Sequence, residues 1–181
     1  ALKEYAAALT IEPTSTHYLL AQAETLLVLG RTNEAKTLID DTSCHFEFSS
    51  ALAHLRSEIA ASDDDHAQAL NFMELAVTLA PNPLDYQEDL ALVAFHAKEW
   101  DRCLTALATL PAKSMDREDM SRIRARCLAM TGRALEARDL LVAFESSNAS
   151  KQDGITLEHD LALGYIAWMV GDIERVDSCA R

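Results

Sequence analysis

Residues 69–81, ALNFMELAVTLAP, place Ala69, Met73, Ala76 and Pro81 at the spacing A-x-x-x-(large)-x-x-A-x-x-x-x-P. Residues 1–13, ALKEYAAALTIEP, repeat that spacing 68 positions earlier with Ala1, Tyr5, Ala8 and Pro13. Positions i, i+4 and i+7 share one face of an α-helix, so each stretch predicts a helix with a small, large, small packing face. The proline that follows cannot continue the helix. Weaker copies occur as Ala35 with Ile39, Cys103 with Leu107 and Leu110, and Ala137 with Leu141 and Phe144.

Sixty-eight is twice 34, and 34 also separates the turn-like positions Gly30, Asp64, Lys98 and Gly132, with Gly171 following after 39. Each lies between two amphipathic stretches: Tyr18 to Leu29 then Glu34 to Asp40, Ala51 to Ala61 then Ala67 to Leu79, Leu84 to Ala97 then Asp101 to Leu110. The recurring unit is therefore a helix, a tight turn and a helix. Full units are expected at 16–49, 50–83, 84–117 and 118–156 of a single array over 1–181. Residues 1–15 read as the second helix of a partial unit and 157–181 as another partial unit. The five extra residues of the fourth full unit fall in the polar stretch 146–154, read as a lengthened loop. Neither Ala1-Leu2-Lys3 nor Ser178-Cys179-Ala180-Arg181 supplies a polar capping helix, so the chain is expected to be a segment of a longer protein or to be capped by something else.

The composition agrees with helices that bury a core: 181 residues, 49% hydrophobic, with only five Gly and four Pro. Sixteen Lys and Arg against 29 Asp and Glu give a net charge of −13, a potential that repels phosphate backbones and anionic lipid. Nucleic acid is not expected as a partner, and no stretch has the roughly 20 apolar residues of a membrane span. Cys44, Cys103, Cys127 and Cys179 form no C-x-x-C pair, which predicts reduced, buried thiols and favours a reducing compartment such as the cytoplasm.

On Ala1/Tyr5/Ala8/Pro13, Ala69/Ala76/Pro81, Trp100 after the Lys98 turn, and Gly164 with Gly171, the chain resembles the tetratricopeptide repeat family. The resemblance covers essentially the whole length, with degenerate repeats: Thr32, His66 and Ala134 stand where the family has an aromatic after the turn, and no Pro closes the units ending near Ser49, Asp116 and Ala149. It implies an all-α, right-handed superhelical solenoid of antiparallel helix pairs. It further implies a non-catalytic scaffold that binds a peptide or helix of a protein partner on a concave face lined by the first helix of each unit.

Carried over by unit phase, the concave row contains Glu24, then His54 and Glu58, then Asp85, Glu88, Leu92 and Phe95, then Arg122 and Arg126, and finally Tyr165 and Trp168. Its acidic part suits a Lys or Arg of the partner, an arginine pair can grip a carboxylate, and the aromatic end can anchor an apolar side chain. The positions that carry a chaperone-tail clamp in related repeats hold mostly Glu, Asp, His and Leu here, which disfavours that ligand.

Catalytic chemistry has no motif: the sequence lacks a nucleophile elbow, phosphate loop, H-E-x-x-H or dinucleotide fingerprint, and implies no cofactor or metal. His54 and Glu58, one turn apart, read as a solvated or partner-facing pair. Asp63-Asp64-Asp65 lacks the Gly and distal Glu of a calcium loop and reads as a turn ending in a helix cap. Two other functions fit the same pattern: a helical regulatory or substrate-docking arm of a larger enzyme, and a repeat protein that self-associates end to end.

Overall fold

Five residues have the left-handed backbone that ends a helix pair's first arm: Gly30 (φ 71°), Asp64 (63°), Lys98 (60°), Gly132 (83°) and Gly171 (75°). They are the five turn positions expected from spacing alone. At four of them the hydrogen bonds follow one scheme. The N–H of Gly30 donates to the Leu27 carbonyl and that of Arg31 to the Leu26 carbonyl. The pairs recur as Asp64 to Ala61 with Asp65 to Ala60, Gly132 to Ala129 with Arg133 to Leu128, and Gly171 to Trp168 with Asp172 to Ala167. This arrangement satisfies the last carbonyls of a helix and requires one residue at positive φ.

The computed structural model describes residues 2–12, 15–42, 49–115, 117–148 and 156–172, with 175, 176 and 179. Among the described residues the chain is helical, with no strand. The helices are α1 (Leu2–Ile11), α2 (Thr16–Val28), α3 (Thr32–Thr42), α4 (Ser50–Ser62), α5 (His66–Leu79), α6 (Gln87–His96), α7 (Trp100–Thr109), α8 (Ala112–Met115), α9 (Glu118–Met130), α10 (Ala134–Asn148) and α11 (Leu157–Met169). Pro13, Cys44, His45, Asp116, Ala149 and the chain ends at Ala1 and Arg181 lie outside the described residues.

Three local features depart from the sequence expectation. The stretch expected as one helix from Leu84 begins as a 3-10 turn, Pro83–Tyr86, whose entry Asn82 caps by accepting from the Leu84 N–H at 3.3 Å. The one-turn helix α8 adds a further element after Pro111. Ser146, Ser147 and Asn148, expected in a loop, belong to α10, where the two hydroxyls donate back to the carbonyls of Val142 and Ala143. That bond gives a serine a partner inside a helix.

The chain divides into two compact units, Ala1–Ala97 and Lys98–Arg181. In the first, α1 packs on α2, α2 on α3 and α4, and α4 on α5, which also packs on α6. Ala23, Leu26, Ala35, Ile39, Leu52, Leu55 and Ile59 form one buried cluster, and Ala53, Met73 and Ala76 another against Tyr86, Leu90 and Val93. In the second unit, α9 packs on α7, α8 and α10, and α11 on both α9 and α10. Its core joins Ala125, Leu128, Ala129, Ala137, Leu141, Leu163 and Ile166.

Burial repeats with the same period as the turns. The small residue of each complete second helix, Ala35, Ala69, Cys103 and Ala137, is fully buried, and so is the large one four later: Ile39, Met73, Leu107 and Leu141. The first helices keep a small buried residue of their own at Ala23, Ser57, Ala91 and Ala125. Gly164 continues that series, and a Cβ there would meet the Cβ of Cys179 at 3.2 Å. Small residues at these places let two backbones approach, and Ser57 uses its short side chain to donate to the Ala69 carbonyl at 2.8 Å.

Candidate functional site

In the first unit, three first-arm segments bring acidic side chains around one histidine. His54 of α4 is half-buried, its Nε2 lies 3.2 Å from the Asp89 Oδ2 of α6, and its ring rests 5.1 Å from that of Tyr86. The hydrogen bond to Asp89 raises the His54 pKa above its ordinary value, against partial burial and with help from Glu58, Asp89 and Glu24. Glu58 is exposed, but crowding of its carboxyl by protein pushes its pKa up. His54 opposes that shift, while Glu24 and Asp89 reinforce it. Four groups from α2, α4 and α6 thus share one electrostatic environment.

Of the residues expected here, the structure gathers Glu24, His54 and Glu58. Asp85 stands apart in the 3-10 turn, exposed, accepting from the Asn82 side-chain amide at 2.8 Å. Glu88, Leu92 and Phe95 are half-buried on α6, with Phe95 edge-on to His96 at 5.7 Å. The side chains that reach His54 are Tyr86 and Asp89, neither of which the unit phase selected. α6 keeps the burial register of α2 and α4, with Ala91 and Ala94 buried where Ser57 and Ala60 are, and it is the contact between neighbouring helices that pairs His54 with Asp89 rather than with the equivalent Glu88.

In the second unit, Arg122 of α9 forms an ion pair with Glu158 of α11, and the Thr156 hydroxyl donates to Glu118. Arg122 therefore joins two successive first helices, and a partner's carboxylate would compete with Glu158 for it. Arg126 is exposed. Tyr165 and Trp168 are 53% and 68% exposed with ring centroids 6.2 Å apart, so neither is core. Leu157 and Leu161 extend their row at helical spacing and are equally exposed. On the opposite face His159 is fully buried against the Phe144 ring, at the place that Leu52 and Met120 fill in earlier units. Burial lowers its pKa, outweighing the nearby Glu118 and Asp160.

The two units differ in charge. Residues 1–97 hold 4 Lys and Arg against 15 Asp and Glu, while residues 98–181 hold 12 against 14. Nearly the whole excess of negative charge therefore belongs to the unit that contains His54. Among the described residues no group of His, Cys, Asp and Glu is placed to hold a metal ion. No described helix is long and apolar enough to cross a membrane.

No protein-family model matches the chain, and no curated protein matches it in sequence. Solved structures do match in fold. YrrB, described as a TPR protein with an unusual peptide-binding site, superposes with a TM-score of 0.80 at 13% identity, over 99% of this chain and 90% of that one. MamA gives 0.69 at 17% identity over 86% and 87%. A chain of the Naa15/Naa10 structure bound to HypK-THB gives 0.64 at 20% identity; 98% of the present chain is covered, which spans only 27% of that chain. The fold is that of tetratricopeptide-repeat proteins, an all-α array of helix pairs.

Proposed function

We propose that this chain is a non-catalytic protein-interaction scaffold whose first unit captures a Lys- or Arg-bearing segment of a partner protein. The observation that carries the reading is the set of Glu24, Glu58 and Asp89 around His54, within a unit of 4 cations and 15 anions. A guanidinium or ammonium placed there would meet carboxylates from three helices at once, a charge-assisted arrangement that a single solvated helix face lacks. YrrB, which shares the fold, is described as having a peptide-binding site. In the second unit we assign the exposed Tyr165 and Trp168 to an apolar anchor of the partner, and Arg126 to its polar surroundings.

The test is capture from source lysate with the parent chain and with a Glu24→Gln, Glu58→Gln variant whose helicity matches the parent. The expected result is a basic partner retained by the parent, lost by the variant, and released as salt rises. Equal capture by both would remove these carboxylates from the binding surface. A second reading is the helical regulatory or substrate-docking arm of a larger enzyme, consistent with a fold that 98% of this chain shares with 27% of a chain of the Naa15/Naa10 structure. End-to-end self-association is opposed by the net charge of −13.

A further inference from the structure

In two repeats the small buried residue of the second helix joins one buried cluster with the same position of the next first helix. Ala35 shares a buried cluster with Ile59, and Ala137 shares one with Ile166. In the second unit the corresponding residues are Cys103 of α7 and Cys127 of α9, both fully buried. Helices α7 and α9 pack on each other, and each thiol is the main influence on the other's acidity. An alanine at this place lets the facing helix come close, and a cysteine in its stead brings a thiol to a thiol across the helix boundary.

We propose that Cys103 and Cys127 are a redox pair that a peroxide oxidises to an interhelical disulfide, tying α7 to α9 within the second unit. The neighbouring Cys103 sulfur, and then burial, push the Cys127 thiol up and keep its proton on it, which leaves Cys103 the more acidic partner. The Cys103 thiolate attacks one peroxide oxygen, the O–O bond breaks, and the departing hydroxide takes up a proton to become water. The resulting sulfenic acid is attacked by the Cys127 sulfur, which loses its proton as the S–O bond breaks and a second water leaves. Two thiols and one hydrogen peroxide become one disulfide and two waters. Full burial means that a small oxidant enters only during local opening, so closure is slow compared with that of an exposed pair.

The four cysteines fall in four different tryptic peptides, which makes the test direct on the unmodified chain: residues 37–56, 103–113, 127–133 and 176–181. The folded chain is treated with hydrogen peroxide, alkylated, and digested without reduction. The expected product is peptide 103–113 joined to 127–133, accompanied by a melting temperature about 5 °C higher, reversed by a dithiol reductant. The Cys103→Ser chain, folded by circular dichroism, is expected to show neither. Two alkylated peptides, links only to the peptides containing Cys44 or Cys179, or a 103–127 link that forms only in urea would each overturn the pair. None of these outcomes touches the partner surface of the first unit.

Discussion

At the scale of single residues, the left-handed positions separate what spacing predicts from what composition predicts. Glycine at Gly30, Gly132 and Gly171 meets no neighbour where a Cβ would stand, so only its φ demands it. Asp64 and Lys98 adopt the same backbone with a side chain, at a steric cost of about 1 kcal/mol that Asp tolerates better than Lys. Lys98→Gly is therefore expected to raise stability by up to about 1 kcal/mol, and Gly132→Val to lower it by more, in urea unfolding.

His159 makes a second prediction at this scale. Its folded pKa is lowered by burial. Its contribution is complete above the unfolded value of about 6.5 and is lost as pH falls below it. The His54 pKa is raised, so its contribution is complete below about 6.5 and fades as pH rises through the folded value. Thermal melts of His159→Leu between pH 5 and 8 are expected to lack part of the parent's acid sensitivity; identical profiles would clear this histidine. Acid also neutralises Glu58, whose pKa is raised, and charges His54. Affinity for a basic ligand peptide should thus weaken as pH drops, which titration calorimetry would record.

At the scale of elements, the same sequence position has unequal worth along the repeat. Met73 and Leu141 are fully buried in complete helix pairs, whereas Tyr5 of α1, at the equivalent place, is only partly covered. Met73→Ala and Leu141→Ala are expected to cost roughly 2–5 kcal/mol in denaturant titrations, and Tyr5→Ala less. A smaller effect belongs to Asp65, whose side chain accepts from the Gln68 N–H at 3.0 Å and caps α5. Asp65→Ala should lose about 1 kcal/mol, and Asp65→Asn little of it. Helix bounds and caps of this kind were legible because local chemistry decides them: a left-handed turn residue, an acceptor at the N-terminus, and a face of Ala and Leu. The Asn82-to-Tyr86 entry was not, since a 3-10 start and an α-helical start share most of their residues. Asp89 rather than Glu88 meets His54 because side chains of neighbouring helices meet across an offset that the repeat period alone does not give.

For the whole molecule, the period of 34 made the fold readable, while the candidate site was readable only in outline. Glu24 and Glu58 lie one period apart on uninterrupted helices and share one electrostatic environment with His54. Arg122 pairs with Glu158, 36 residues away, because a long cation finds the nearest carboxylate in three dimensions. The uneven charge, concentrated in residues 1–97, needed only counting by segment. It leads to a prediction for the chain as a whole: moderate salt should raise the melting temperature by screening self-repulsion while weakening capture of a basic partner. A partner whose binding does not change with salt would point to the apolar row of Tyr165 and Trp168 instead.

The equal spacing of Gly30, Asp64, Lys98 and Gly132 also constrains how such a gene can change in length. Excising residues 50–83 would put Lys98 where Asp64 stood relative to Gly30, with a buried small residue, a buried large residue and a turn again in step. Excising one residue more or fewer would rotate everything downstream by about 100° and turn the apolar face toward water. Viable descendants of this chain should therefore differ from it by whole periods, or by additions that leave the buried faces in step, as the five residues gained between Gly132 and Gly171 leave Gly164 at the place of Ala125.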